Sequence, residues 1–401
     1  MAHDGSHVLG TVISTSKIGD GLAPLSIGGC MPPRSSTSGL SRASGDTLAS
    51  FDEPPLTVQL DDEVLGSGQY ATVRLGRLST GGACAVKIAH KQDPDAVELA
   101  QIEAAALARV GGAPATVQCF GVVDLGAGVV EPWGQAAERM AKGQGQWGVV
   151  LELCHGSCWE LMQRSRAAMG AELFFAWARQ LTLALAALRS AGMAHKDIKP
   201  HNILLDRAGA VRLADFTAAE FSPAAVAAMR VRWEAFNPNS YPPYVDFSGT
   251  VPYSAPEALS PGLERTAQEL HKIDVFSLGV TLYALFVSGR DPFASVKSGL
   301  EQMLLAGRGA FWEWEERQAL AATPSAPQEA SGGLARSLSL GRRLRRRQAS
   351  QEFRTFLSGE PLPAGVEALL RAMTSPNPDQ RPDASAILQA LDEMELEIFE
   401  P

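Results

Sequence analysis

From Leu56 onward the apolar positions alternate with polar ones. Thr57-Val58-Gln59-Leu60 and Val64-Leu65 lead into Gly66-Ser67-Gly68, and Gln69-Tyr70-Ala71-Thr72-Val73 resumes the pattern. A period of two marks half-buried strands, and two glycines between such runs predict a hairpin with a tight turn. A further strand is predicted over Gly82 to Ala89, carrying Lys87. The period then changes. Leu99, Ile102, Leu107 and Val110 form the stripe of a helix, with Asp93 as its N-cap, Pro94 at its first position and Gly111-Gly112 as its stop. Val117 to Val123 and Trp147 to Cys154 are predicted strands. Residues 124–147, rich in glycine, read as an insertion holding a polar helical piece, Gln135 to Ala141.

The second half is helical. Phe174, Trp177, Leu181, Leu185 and Leu188 recur at three- and four-residue steps within a helical stretch predicted over 159–192 and ended by Gly192. Two short apolar runs follow, Ile203-Leu204-Leu205 and Val211 to Ala214. From Asp215 to about Pro256 the chain reads as irregular, with Pro223, Pro238, Pro242, Pro243 and Pro252. Further helices are predicted over Leu270 to Val287, 294–306, 363–373 and 383–398. Strands first and helices after give an α+β fold.

Composition adds two segments outside this scheme. Residues 1–54 are rich in Ser, Gly and Thr, as in a disordered tail, inert or phosphorylated near Arg34 and Arg42. Residues 320–352 turn to Ala, Ser, Pro and Gly around the run Arg342 to Arg347 and read as a flexible insert. A net charge of −9 argues against nucleic-acid binding by the chain as a whole. The longest apolar run, Val275 to Val287, falls short of the ~20 residues of a membrane span, and no signal peptide is apparent. Cys30, Cys84, Cys119, Cys154 and Cys158 are scattered and odd in number, which favours free thiols in a reducing compartment. The expected location is cytoplasmic, with the nucleus added if the arginine run is an import signal.

Chemistry concentrates in His195-Lys196-Asp197-Ile198-Lys199-Pro200-His201-Asn202. A carboxylate at Asp197 can accept a hydroxyl proton, Lys199 can reach a phosphate oxygen, and Asn202 can offer its oxygen to Mg²⁺. Asp215 can supply a second oxygen ligand. Taken alone, the stretch also fits an ordinary charged loop. At Gly66 and Gly68 no Cβ keeps the backbone from a phosphate. Glu103 borders the apolar stripe of its helix and is the better placed of Glu98 and Glu103 to reach Lys87.

These parts in this order (glycine turn, strand lysine, helix glutamate, H-x-D-x-K-x-x-N, then Asp215-Phe216) resemble the eukaryotic protein kinase family over residues 57 to about 395. The resemblance implies a two-lobed fold: a β-rich lobe over 55–153 and a helical lobe over 154–395, with inserts near 124–147, 218–247 and 320–352 and a tail at 396–401. It implies ATP and Mg²⁺ as cofactors and proteins as substrates. Leu65, Gly66, Ser67, Gly68, Gln69, Tyr70 and Val73 would cover the nucleotide. Lys87, held by Glu103, would contact its phosphates. Ala85, Leu151 and Leu204 would enclose the adenine, and the backbone of Glu152 and Cys154 would bond its edge. Asp197 would take the substrate proton, Lys199 would steady the γ-phosphate, and Asn202 and Asp215 would hold the metal. Glu257 would pair with Arg381, and Asp274 would anchor the catalytic loop.

Lys199 and the Gly249-Thr250 pair before Tyr253-x-Ala-Pro-Glu resemble the serine/threonine branch. Three positions depart from the pattern. Ala71 stands for the loop's third glycine. Lys196 stands for the arginine that receives an activation-loop phosphate, so weaker dependence on such phosphorylation is expected. Thr217 stands for the glycine after Asp215-Phe216, where a β-branched residue at positive φ would cost roughly 1–2 kcal/mol or more. Met229, Val231, Trp233, Phe236 and Tyr241 could dock on the large lobe, and Arg342 to Ser350 could meet an upstream kinase or an anionic partner. A pseudokinase or nucleotide-binding scaffold, and a kinase-like enzyme for small molecules, are the rival readings.

Overall fold

The computed structural model describes residues 54–90, 93–142, 145–233, 249–259, 265–322 and 355–399. The tail before residue 54, the Arg342 to Ser350 run and most of the 320–352 insert lie outside the described residues, as do Phe236 and Tyr241.

Six strands build one antiparallel sheet in the order β1-β2-β3-β6-β4-β5. They are β1 (Val58–Ser67), β2 (Ala71–Leu78), β3 (Ala83–Ala89), β4 (Cys119–Asp124), β5 (Val130–Glu131) and β6 (Trp147–Glu152). Alternation sorts their side chains onto two faces. Cys84, Val86, Ile88 and Val150 pack together with Val58 and Val123 on one face. Ala85, Val149 and Leu151 join the main core on the other, and Lys87 shares their side of β3. The sheet thus presents Lys87 to the interior, not to solvent; it is 7% exposed.

Helix α1 (Pro94–Val110) lies between β3 and β4 and starts as its sequence foretells, with the Asp93 carboxylate accepting from the N–H groups of Asp95 and Ala96. The 124–147 region is no loose insertion. Its helix α2 (Trp133–Ala141) buries Ala136, Ala137 and Met140 and packs on α1 and β4. The polar positions that suggested a solvated helix are one face only.

The predicted helical stretch over 159–192 is two helices, α3 (Cys158–Arg164) and α4 (Ala171–Ser190), split by a 3₁₀ turn at Arg166–Ala168. Gly192, at φ +72, ends α4 in the left-handed conformation. Short ribbons frame the loops that follow: β7 (Met193–Ala194) pairs with β10 (Glu220–Phe221), and β8 (Ile203–Leu205) pairs with β9 (Val211–Leu213). The segment read as irregular after Asp215 holds a helix, α5 (Pro223–Trp233), which contacts α2. Its proline is at the first helical position, where it is tolerated.

Helix α6 (Ala267–Tyr283) runs on through a π turn, Ala284–Ser288. Together they are 22 residues, long and apolar enough to cross a bilayer, yet 94% of the apolar window is buried inside this fold. Gly279 lets α6 approach the next helix closely; a Cβ there would lie 2.7 Å from Thr374 and 2.9 Å from Met373. Helices α7 (Gly299–Gly307), α8 (Phe311–Ala322), α9 (Ala364–Met373) and α10 (Ala384–Phe399) complete the helical part. Of these, α8 was not foreseen: its apolar residues are aromatic and interleaved with glutamates. Phe174, Trp177 and Phe286 meet edge to face at the centre, joining α4 to the end of α6.

Burial of one face of α2 carries a measurable consequence. Met140→Asp should cost about 3 kcal/mol or more, by losing a packed side chain and burying a charge. Gln135→Ala, on the exposed face, should change stability by less than about 0.5 kcal/mol. Urea unfolding of both variants checks the contrast.

Candidate active site

A cleft lies between the sheet and the helical part. Leu65, Val73, Ala85, Lys87, Glu103, Leu151, Glu152, Cys154, Asn202, Leu204 and Asp215 line it, all of them expected there. Four lining residues were missed: Val117, Leu153, His201 and Ala214. Val117 and Leu153 sit at the ends of predicted strands, and Ala214 precedes Asp215, so position alone could have found them. His201 stacks on Trp159 at 4.7 Å, a contact between segments that are distant in sequence.

The hairpin tip differs in detail from expectation. Gly66 faces Val73 across the ribbon, Ser67 faces Thr72, and the Gly68 N–H donates to the Ala71 carbonyl at 2.9 Å. Neither glycine has a positive φ. What they contribute is the missing side chain. Tyr70 belongs elsewhere: its ring packs on Ala89, Ala96 and Ala100 beside α1, because an apolar site is available there.

At the back of the cleft, Lys87 Nζ lies 2.9 Å from Glu103 Oε2 and donates to Asp215 Oδ1 at 2.7 Å. All three are buried. Burial works to discharge Lys87, but the two carboxylates hold its pKa above the ordinary lysine value. Burial also pushes Glu103 upward, with Lys87 opposing. For Asp215 burial would raise the pKa too; the Lys87 charge and hydrogen bond, with the Thr217 hydroxyl, overcome it and hold the group at about 2. Glu103 further accepts from the Phe216 N–H at 3.3 Å, tying α1 to the start of the next segment.

The loop from His195 is set from beneath by Asp274 on α6. Its two oxygens accept from the N–H groups of His195 (2.7 Å) and Lys196 (2.9 Å). Burial pushes the Asp274 carboxyl up to about 7, against those donors and the nearby Lys196 charge. Thr281 donates to the Ile198 carbonyl at 3.1 Å. Asp197 gathers three partners. Asn202 Nδ2 and Thr250 Oγ1 donate to it at 2.8 and 2.7 Å, and Lys199 Nζ lies 2.8 Å away. Lys199 also donates to the Thr250 hydroxyl at 2.7 Å. Glu257 and Arg381 make the expected two-pronged pair, with Arg381 set over the Phe276 ring at 4.9 Å.

The expectation of strain at Thr217 needs correcting. Thr217 is not at positive φ; it lies in a 3₁₀ turn, Phe216–Ala218, and its hydroxyl donates to Asp215 Oδ1 at 2.8 Å. Positive φ falls instead on Asp215 (φ 65) and Lys196 (φ 64), and, away from the site, on Ala115 and Phe293.

A β-rich part, a helical part and this cleft between them define a protein kinase. The family model for the protein kinase domain matches residues 60–391, and the chain belongs to that family. It is 31% identical over 163 residues to sperm motility kinase 2A of Mus musculus, covering 40% of this chain and 28% of that protein. It is 34% identical over 174 residues to a calcium/calmodulin-dependent serine/threonine-protein kinase of Malus domestica (41% and 35%). It is 29% identical over 248 residues to serine/threonine-protein kinase TOS3 of Saccharomyces cerevisiae (59% and 41%). The matched stretches therefore span well under half of these relatives.

Lys87→Met tests the buried triad. Asp215 has a folded pKa of about 2, below its ordinary value, so its contribution is present above pH 4 and is lost as pH falls through 2. Without the ammonium two buried carboxylates face each other. Lys87→Met should therefore destabilise the protein by about 3–5 kcal/mol at pH 7. The gap should narrow at pH 4, where the carboxylates can take up protons. Chemical denaturation at the two pH values reads it, and a gap that is the same at both would refute the account.

Proposed function

We propose that the chain is an ATP-dependent serine/threonine protein kinase. The observation that carries this reading is the placement of Asp197 against Lys199, Thr250 and Asn202, with Asn202 lining the same cleft as the Lys87–Glu103–Asp215 triad. Asp215 Oδ2 is buried and has no hydrogen-bond partner, an orphan that a cation would satisfy. The Asn202 amide nitrogen is committed to Asp197, which leaves its oxygen for the same ion. One carboxylate and one amide oxygen, completed by phosphate oxygens and water, suit Mg²⁺. The residues present thus fit the Mg²⁺ and ATP that the family implies.

Leu65, Val73, Ala85, Leu151 and Leu204 give the cleft apolar walls for an adenine, whose edge meets the backbone between Glu152 and Cys154. Lys87 holds the α- and β-phosphates, with Glu103 fixing its reach. Asn202 and Asp215 hold Mg²⁺, which when bound neutralises phosphate charge. Asp197 orients the substrate hydroxyl and takes its proton; Lys199 steadies the transferred phosphate. The Thr250 hydroxyl, bonded to both Asp197 and Lys199, supports a serine or threonine acceptor on a protein. The names of the relatives agree with that choice.

A nucleotide-binding scaffold with little turnover is the second reading. Thr217 favours it, since its hydroxyl occupies the Asp215 oxygen that Lys87 also uses. Phosphate transfer from ATP to a peptide library separates the two. The wild type should label Ser and Thr but not Tyr, need Mg²⁺, and exceed Asp197→Ala by about 10²–10⁴-fold. Equal labelling by the two proteins sinks the kinase reading.

A further inference from the structure

Glu220 lies five residues after Asp215, on β10. It faces Ala194 of β7, the residue before His195. Its carboxylate meets cations from two other segments. Lys196 Nζ is 2.7 Å from Oε2, and Arg265 Nη1 is 3.2 Å from both oxygens. The Lys196 side chain is 4% exposed and that of Arg265 10%. Burying an ammonium to that degree is costly unless an anion lies beside it. Lys196 is also one of the few non-glycine residues with a left-handed backbone. Such a conformation persists where its surroundings over-determine it. Asp274 holds its N–H, and Glu220 holds its ammonium. Arg265 extends the connection, donating to the Glu257 carbonyl at 2.9 Å, and Glu257 is in turn gripped by Arg381.

We infer that Glu220 is a positioning residue for phosphoryl transfer. Its carboxylate clamps Lys196 and Arg265, so that Asp197 and Asp215 keep their mutual placement without a phosphate on the segment between Asp215 and Glu257. The inference rests on the kinase reading above. It reaches further, because it assigns a role to a residue outside the cleft and makes the assembled loop an intrinsic property of the chain. Arg265 adds a second cation to the one that Lys196 brings: its Nη1 reaches both Glu220 oxygens, and its Nη2 donates to the Glu257 carbonyl.

The test uses the full chain: wild type, Glu220→Gln, Glu220→Asp, Lys196→Met and Asp197→Ala, with a serine peptide. Glu220→Gln keeps the shape and removes the charge. It should lower kcat about 10- to 100-fold and leave KM for ATP within about twofold, with some loss of thermal stability from the cations left without their anion. Glu220→Asp, which keeps the charge, should recover much of the loss. A merely structural role would shift the melting temperature and not split kcat from KM in this way. Lys196→Met removes the other half of the clamp and should show the same kcat loss, which keeps the test open if Glu220→Gln does not fold. Wild type stripped by a broad-specificity phosphatase should retain its kcat. Wild-type kcat in both clamp variants overturns the proposal, as does a tenfold or greater fall on phosphatase treatment. Wild type no more active than Asp197→Ala would overturn the kinase reading itself, and this inference with it.

Discussion

One buried ammonium, that of Lys87, is shared by carboxylates from two distant parts of the chain, Glu103 on α1 and Asp215 after β9. No member of this trio is tolerable in the interior alone: an unpaired buried charge carries a desolvation penalty of several kcal/mol. Each therefore fixes the others. Lys87 can sit on the inner face of β3 only if α1 brings Glu103 against the sheet. Asp215 can adopt its left-handed backbone there only if its carboxylate has a cation to meet. Packing of α2 on α1 supports the same arrangement from outside, with Ala136 and Met140 buried in the main core.

A second buried carboxylate does the equivalent work for the loop from His195. Asp274 satisfies two consecutive backbone N–H groups with no side-chain partner of its own in that contact. Raising its pKa to about 7 is the electrostatic consequence of placing it in the middle of α6. Hydrogen bonds to the anion offset that burial, so the loop and the carboxylate stabilise one another. The His195 ring completes the mount: one nitrogen bonds the Ala214 carbonyl at 3.0 Å, the other accepts from the Asp197 N–H at 3.2 Å, and the ring meets Phe216 edge to face. Burial lowers its pKa, and a neutral ring is the form that can donate at one nitrogen and accept at the other.

Much of this was legible in the sequence because periodicity reports which face is buried. The alternation around Lys87 placed it on a strand, and the stripe on α1 singled out Glu103 over Glu98. Asp274 and the Glu257–Arg381 pair followed from a resemblance carried by residues at fixed order. What escaped had a different physical origin. The buried face of α2 is made of alanines and one methionine, too weak a pattern to outweigh its glutamine, glutamate and arginine. Helix α5 was hidden by its opening proline, and the break between α3 and α4 by continuous apolar spacing. Tyr70 and His201 are placed by contacts across long separations, which no local pattern encodes.

The departures from the family pattern take on a common meaning once the contacts are known. Thr217 at a flexible-glycine position first reads as strain, and Lys196 at an arginine position as a weakened anion site. In the fold each makes a bond. Thr217 caps the Asp215 carboxylate, and Lys196 meets Glu220. These two bonds fasten the Asp215 to Glu220 segment at both ends, and β10 pairs its far end to β7 beside the catalytic loop. A glycine at position 217 would restore conformational freedom to the segment, and an arginine at 196 would widen the site toward two oxygens at once. The residues present instead reduce the number of arrangements available to the segment that carries Asp215. A segment with fewer alternatives loses less conformational entropy when a ligand is held there, so these substitutions act on pre-organisation and leave the chemical groups themselves untouched.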